Sequence, residues 1–130
     1  MIEVYTDGAS SGDPGKSGAG IYIKKDGNEL EYAFPLGVVS NHEAEFLAVL
    51  KALEVCQKEF PGEILSFRSD SKLVVDAVER NYIKNEKYAP LLQRINEASD
   101  TFPYFFMKWI PEKQNKHADY LAKKGIQLND

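Results

Sequence analysis

The chain has one cysteine, two histidines and no surplus of positive charge. Each shortage removes a class of explanation. Cys56 has no partner for an internal disulfide, and an unpaired thiol fits a reducing compartment such as the cytoplasm. It falls at helical spacing among apolar residues and reads as a buried, inert thiol. Lysine and arginine number 16 against 20 aspartates and glutamates, a net charge of −4. That balance weighs against strong non-specific nucleic-acid binding, which normally rests on a basic surface. No apolar run approaches the length that spans a membrane. Met1-Ile2-Glu3-Val4 runs straight into a strand, without the organisation of a signal peptide. There is no internal repeat, no low-complexity segment, no heptad and no long apolar edge. The expectation is a cytoplasmic monomer with no membrane attachment and no evident protein partner.

What is present is the composition of a globular protein. The chain has 130 residues, 43% of them hydrophobic and 28% charged, which predicts a single domain over residues 1–130 with its own core. Ile2 to Thr6 reads as a buried strand and Gly18 to Lys24 as an alternating one. Asp26-Gly27 then turns the chain into a third strand, Glu29 to Phe34. Ser40-Asn41 opens a helix, with Glu43 in capping-box position and Phe46, Val49, Leu50, Leu53 and Cys56 on its apolar side; Pro61-Gly62 stops it. Ile64 to Arg68 is a short strand, followed by a helix marked by Leu73, Val74, Ala77 and Val78. A polar loop covers Asn81 to Lys87. Ala89-Pro90 begins a third helix, Phe102 to Ile110 forms an aromatic strand, and a last helix runs from near Gln114 to Gly125. The order β-β-β-α-β-α-α-β-α predicts an α/β fold. Its mixed sheet has three antiparallel strands, then two parallel ones, with helices on both faces.

The stretch VYTDGASSGDPGKSGAG, residues 4–20, invites a phosphate-loop reading. That reading fails. Gly15-Lys16-Ser17 supplies the end of a Walker pattern, but the first glycine would have to stand at Ser10. Ala19, Ile21 and Ile23 alternate as in a strand, whereas a nucleotide loop, mononucleotide or dinucleotide, leads into a helix. The glycine-rich loop therefore joins two strands, and Asp7 at its entrance needs another explanation.

Four acids stand at the ends of elements. Asp7 closes the first strand and Asp70 the fourth; as parallel neighbours, both would emerge at the sheet edge where open α/β sheets place ligands. Glu45 lies in the first turn of the first long helix, and Asp119 near the start of the last. Each alone has an ordinary reading, as a turn residue, a cap or a complement to a helix dipole. Together they have a sharper one. Two unit charges 4 Å apart repel by about 4 kcal/mol at an effective dielectric near 20. A converging set would need protons or cations, and hard oxygen ligands without histidine or cysteine favour Mg²⁺ or Mn²⁺. A metal pair suits in-line displacement at phosphorus, and the glycines would let a phosphate backbone approach the chain.

The sequence resembles ribonuclease H, type 1, over nearly its whole length. YTDGASSGDPGKSGAG is similar to the family's first-strand motif, SNHEAEFLAVLKAL to its first helix, FRSDSKLVVDAV to the third motif and WIPEKQNKHADYLAKKG to the fourth. The resemblance implies that Asp7, Glu45, Asp70 and Asp119 are catalytic residues holding two Mg²⁺ ions. It implies hydrolysis of the RNA strand of an RNA–DNA hybrid, leaving 3′-hydroxyl and 5′-phosphate ends. One ion would generate the attacking hydroxide and the other would stabilise the leaving oxygen. Glu45 is further placed to meet the 2′-hydroxyl beside the scissile bond, the group that distinguishes RNA from DNA. Ser10, Gly12, Asn41 and Ser71 match positions that touch the RNA or adjacent backbone, Ser40 a phosphate-pocket position, and Asn115 stands with the substrate-binding set.

Two departures qualify this expectation. Many family members carry a histidine in the loop before the last acid; here Ile110 to Lys116 contains none, and Glu112 is the titratable group that would substitute. His117 does not replace it, because two residues along a helix from Asp119 it points about 200° around the axis. His42 reads as a surface histidine. The second departure is a missing lysine- and arginine-rich insertion after the second helix, where ERNYIKNEKYAPLLQRI runs directly through. Tyr82 in that stretch is either a sugar-stacking group or a core or rim tyrosine. Lys108, Lys113, Lys116, Lys123 and Lys124 read as a solvated face. The leading reading is an active hybrid-specific endoribonuclease. The alternatives are a weakly active or inactive nucleic-acid-binding protein of this fold, and a nuclease on other substrates such as structured DNA.

Overall fold

The caps and turn signals of the sequence are where the chain turns in a computed structural model that describes residues 1–130. The chain forms β1 (Ile2–Ser10), β2 (Gly15–Lys25), β3 (Asn28–Val39), α1 (Asn41–Glu59), β4 (Leu65–Ser69), α2 (Lys72–Arg80), α3 (Ala89–Ser99), β5 (Phe105–Trp109) and α4 (Lys116–Gln127), with short 3₁₀ turns at Glu86–Tyr88 and Glu112–Gln114. The five strands lie in the order β3-β2-β1-β4-β5. Pairs β1–β2 and β2–β3 are antiparallel; β1–β4 and β4–β5 are parallel. This is the expected mixed sheet in the expected element order. No helix is long and apolar enough to cross a membrane.

The caps have simple causes. Ser40 Oγ accepts the amide of Glu43 at 3.2 Å, the first half of the capping box, and Gly62 at φ 77° follows the end of α1. Ser71 Oγ caps α2 in the same way at 3.4 Å, and Asn81 ends it in the left-handed region at φ 52°. Asp26 and Gly27, both at positive φ, make the tight turn between β2 and β3.

The two faces of the sheet are covered differently. Ile2 and Val4 of β1 and Ile21 and Ile23 of β2 are fully buried with Phe46, Val49 and Leu53 of α1 in one core. Each such side chain contributes about 1.5–3 kcal/mol by leaving water. Cys56 lies in the same core, and burial pushes its thiol up to about 12. On the opposite face α4 crosses β1, β2 and β3. Here glycine is required by space. A Cβ on Gly18 or Gly20 would overlap the α4 backbone at Ala122 and Ala118, and one on Gly8 would overlap the α1 backbone at Ala44.

That requirement changes the expected glycine-rich loop. Most of its glycines lie in strands β1 and β2, which pair from Glu3–Lys24 to Ser10–Ser17, and the turn shrinks to residues 11–14. Gly8, Gly18 and Gly20 admit helices, not a phosphate backbone. Two other boundaries move. β3 continues to Val39 through a bulge opposite Ser17 and Gly18, next to Pro35, which has no N–H to give to the ladder. β5 begins at Phe105 rather than Phe102, because Pro103 interrupts pairing and Phe102 turns into the core.

Replacing Gly20 by alanine should lower stability by about 1–3 kcal/mol or more, since the obstructing atoms are backbone and cannot rotate aside. A urea unfolding midpoint unchanged by Gly20→Ala would contradict this packing.

Candidate active site

Parallel pairing of β1 with β4 stops at Thr6 opposite Ser69; Asp70 follows the end of β4, whereas Asp7, expected to close the first strand, lies within β1 and pairs with Gly20 of β2, because β1 runs on beside β2 to Ser10. Asp7 is buried, 5% exposed. The approach of α1 to Gly8 brings Glu45, near the start of that helix and just past its first turn, over the same edge, where its Oε1 accepts the Gly8 amide at 2.9 Å. One carboxylate oxygen each from Asp7, Glu45 and Asp70 lie within 4.8 Å of one another.

Asp119 belongs to the cluster's rim. It sits on the first turn of α4, and its charge acts on Asp7, Glu45 and Asp70. Its Oδ2 is 3.0 Å from Nζ of Lys123, one helical turn on. Lys123 is thus a counter-ion of the site and not merely part of a solvated lysine face. The i,i+4 spacing of Asp119 and Lys123 is the sequence signal that marks it.

Asn115 ties α4 to the sheet. It is 1% exposed, and its Nδ2 donates to the Thr6 carbonyl at 2.9 Å and to Oδ2 of Asp70 at 3.5 Å. Its carbonyl accepts the Asp119 amide at 3.1 Å. Its own Oδ1 is buried with no partner. Nothing in the sequence pattern separates this clamp from a substrate contact.

The electrostatics follow from crowding. Burial, then the charges of Glu45, Asp70 and Asp119, push Asp7 up to about 10. Glu45 rises to about 8, chiefly through burial and against the pull of the Gly8 N–H. Burial also raises Asp70, partly offset by the Asn115 hydrogen bond, with Glu112 and Asp119 adding repulsion. Lys123 is raised by its bond to Asp119. At neutral pH the cluster keeps protons that carboxylic acids ordinarily lose. An all-oxygen donor set with an orphaned buried carbonyl oxygen fits a hard divalent cation.

The remaining expected residues divide. Ser10 Oγ donates to the carbonyls of Gly12 and of Val39, the latter at 3.1 Å, and Gly12 is exposed in the turn. Ser40 and Ser71 are occupied as caps, and the Asn41 amide donates to Asp13 Oδ1 at 3.1 Å while its side chain is exposed. Glu112 opens the 3₁₀ turn of the loop, near enough to raise Asp70. It shares a cleft with Lys113, Lys116 and Asp119. His117 points away, hydrogen-bonded to Glu31 and stacked on Tyr22 with ring centroids 3.8 Å apart. Tyr82 is exposed at the end of α2.

The profile of the family described as reverse transcriptase-like matches residues 5–125. EbsB of Enterococcus faecalis, provisionally named a hydrolase, is 43% identical over 98% of this chain and 95% of its own. A ribonuclease H of Brucella ovis is 30% identical over 97% of this chain and 90% of its own. The chain belongs to the ribonuclease H family. Among solved structures, LC11-RNase H1, from compost and crystallised with an RNA/DNA hybrid, superposes with a TM-score of 0.89 at 29% identity, covering 98% of this chain and 97% of that one. As a ribonuclease H family member the chain is spare: between Arg80 and Ala89 there is only a 3₁₀ turn, and the loop from Ile110 to Lys116 holds no histidine.

The raised carboxyl groups give metal-free stability a definite sign. Between the unfolded carboxylate value near 4 and the folded values of about 8 and 10, the native state binds more protons than the unfolded chain. Stability should therefore fall as pH rises from 5 to 9 in chelator, by about 2 kcal/mol or more, the scale of a two-unit carboxylate shift. Millimolar Mg²⁺ should recover most of it, and Asp7→Asn should flatten the slope. Thermal melts across pH with and without Mg²⁺ check this; a metal-free melting temperature that climbs toward pH 9 would overturn it.

Proposed function

We propose that the protein is a metal-dependent endoribonuclease that cuts the RNA strand of RNA–DNA hybrids, with residues 1–130 acting as one catalytic domain. The convergence of Asp7, Glu45 and Asp70 at one sheet edge, under the charge of Asp119, carries this reading. Membership of the ribonuclease H family and the hybrid-bound LC11-RNase H1 support the substrate. Asp7, Glu45, Asp70 and Asp119 would hold two Mg²⁺ ions, or Mn²⁺, which when bound supply Lewis acidity at water and at the leaving oxygen.

The chain's own residues do the rest. The Gly8 amide fixes one oxygen of Glu45, leaving the other to accept a hydrogen bond from the 2′-hydroxyl next to the scissile phosphate. Asn115 holds Asp70 in register with Asp7. Asp119, paired with Lys123, would be the residue that gives up an ammonium partner to hold a cation. Ser10, Gly12, Ser40, Asn41 and Ser71 line the path of the sugar-phosphate backbones. Glu112, on a loop with no histidine, shuttles protons on the leaving side, and the products carry 5′-phosphate and 3′-hydroxyl ends. The protein works as a cytoplasmic monomer.

The Asp119–Lys123 pair and the acid surplus favour a second reading, a protein of this fold that binds hybrids with little turnover. End-labelled RNA–DNA hybrid, duplex RNA and duplex DNA, each with Mg²⁺ and with Mn²⁺, distinguish the two. The proposed activity cuts the hybrid alone, and Asp70→Asn lowers the rate by about 10³-fold. Hybrid binding without cutting supports the second reading, and cutting of duplex DNA refutes both. Hybrid affinity should be weak and fall steeply with added salt, since contact is electrostatic without a dedicated basic insertion; a flat salt titration would count against that view.

Glu112→Gln should reduce kcat by about 10²-fold with little change in KM, the lower range for losing a general acid or base. An unchanged kcat would remove Glu112 from the mechanism.

A further inference from the structure

The two edges of the sheet are guarded very differently. β3, one edge strand, carries Glu29, Glu31, Pro35 and a bulge, and α4 packs across it. These are the features that stop an edge from pairing with another chain. β5, the other edge, reads Phe-Phe-Met-Lys-Trp: one charge, no proline and no register shift.

Its free main-chain groups can be assigned. The Leu65 amide bonds the Tyr104 carbonyl at 3.0 Å, and the Ile110 amide bonds the Ser69 carbonyl at 2.9 Å. In a parallel ladder these bonds turn the even-numbered residues of β5 toward β4. The N–H and C=O groups of Phe105, Met107 and Trp109 therefore point to the open edge, where no protein group meets them. Beside them runs a groove of about 660 Å³ lined by Val78, Glu79, Asp100, Phe102, Phe105 and Phe106 among others. Tyr104 and Phe106 stack at 6.1 Å with planes 6° apart and stand 61% and 53% exposed along its rim. Glu79 and Asp100 are the only charged residues lining it.

We propose that the open edge of β5 and this groove form a docking site for an extended segment of a partner protein, apolar and basic in alternation. Free N–H and C=O groups supply the main-chain bonds of strand addition, and alternate side chains of the added strand reach opposite faces. Apolar positions lie on the Tyr104–Phe106 face of β5; basic positions, on the opposite face, answer Glu79 and Asp100 in the groove. Phosphate backbone is disfavoured by the same two acids. A second copy paired edge to edge about a two-fold axis would bring two sets of these acids together. The surface is separate from the carboxylate cluster, and the proposal does not depend on the nuclease reading.

Amide hydrogen exchange on the intact chain tests it, with two probes at millimolar concentration: a short blocked peptide alternating valine and lysine, and the same peptide with glutamate for lysine. The lysine peptide should slow exchange at Phe105, Met107 and Trp109 by about tenfold while the glutamate peptide does not. The paired change Glu79→Lys with Asp100→Lys should reverse that preference. No protection from either peptide overturns the site, and equal protection by both overturns the basic partner. Protection that appears with protein concentration alone assigns the edge to a second copy. Protection by RNA–DNA hybrid assigns it to nucleic acid. Either result refutes the proposal.

Discussion

Two helices pressed onto one pair of strands from opposite faces are the constraint on which the site depends. α1 meets the backbone of β1 at Gly8, and α4 meets β2 at Gly18 and Gly20. With a side chain at any of these positions the helix would have to stand off, carrying its acid with it. Glu45 would lose the Gly8 amide, and Asp119 would leave the neighbourhood of Asp7. The parallel strands alone bring only Asp7 and Asp70 together. Contact between helix and strand backbones, rather than any feature of the acids themselves, turns two carboxylates into four.

Such a cluster works against the stability of the protein that builds it. Burial and mutual repulsion hold Asp7 and Glu45 protonated far above their ordinary range. The chain softens this with local partners: the Gly8 amide for Glu45, the Asn115 side chain for Asp70 and the Lys123 ammonium for Asp119. None of them removes the crowding, and the Asn115 carbonyl oxygen is left buried without a donor. A divalent cation would relieve several of these costs at once, since it displaces the protons and neutralises the carboxylates it binds. The strain of the metal-free state and the affinity for metal are then one property seen from two sides.

Local signals in the sequence survived folding well. Asp26-Gly27 turns, Ser40 and Ser71 cap, Pro61-Gly62 stops α1, and the strand order follows from the element order. Asp70 and Asp119 stand beside element boundaries that short motifs mark, but Asp7 lies inside β1, which continues to Ser10 because β2 pairs with it beyond the end of β4. What sequence could not reveal depends on contacts between distant residues. The glycines of residues 8–20 look like a strand-joining loop until α1 and α4 are set against them. Asn115 is polar and near an acid, which suits a ligand contact as well as a buried clamp, and only its bond to Thr6 separates the two. Phe102 continues an aromatic run, but Pro103 denies it a place in the ladder. Lys123 pairs with Asp119 at a spacing of four residues that the sequence already contains, so that lysine departs from the solvated set.

The acid surplus bears differently on function once charges have positions. Net charge governs long-range steering, but contact with a phosphate backbone is decided within about a Debye length, roughly 8–10 Å at physiological salt. Of the five lysines near the C-terminus, Lys113 and Lys116 line the cleft beside Asp119 and Lys123 is bound to Asp119 itself. Three of the chain's 16 basic residues therefore stand beside the carboxylate cluster. The acids that make the total negative include those that cations would neutralise. On the proposed function, cations in the site would offset these acids locally, so substrate affinity would depend on metal occupancy. With no basic insertion after α2, that reading would make the cluster recruit the hybrid as well as cut it.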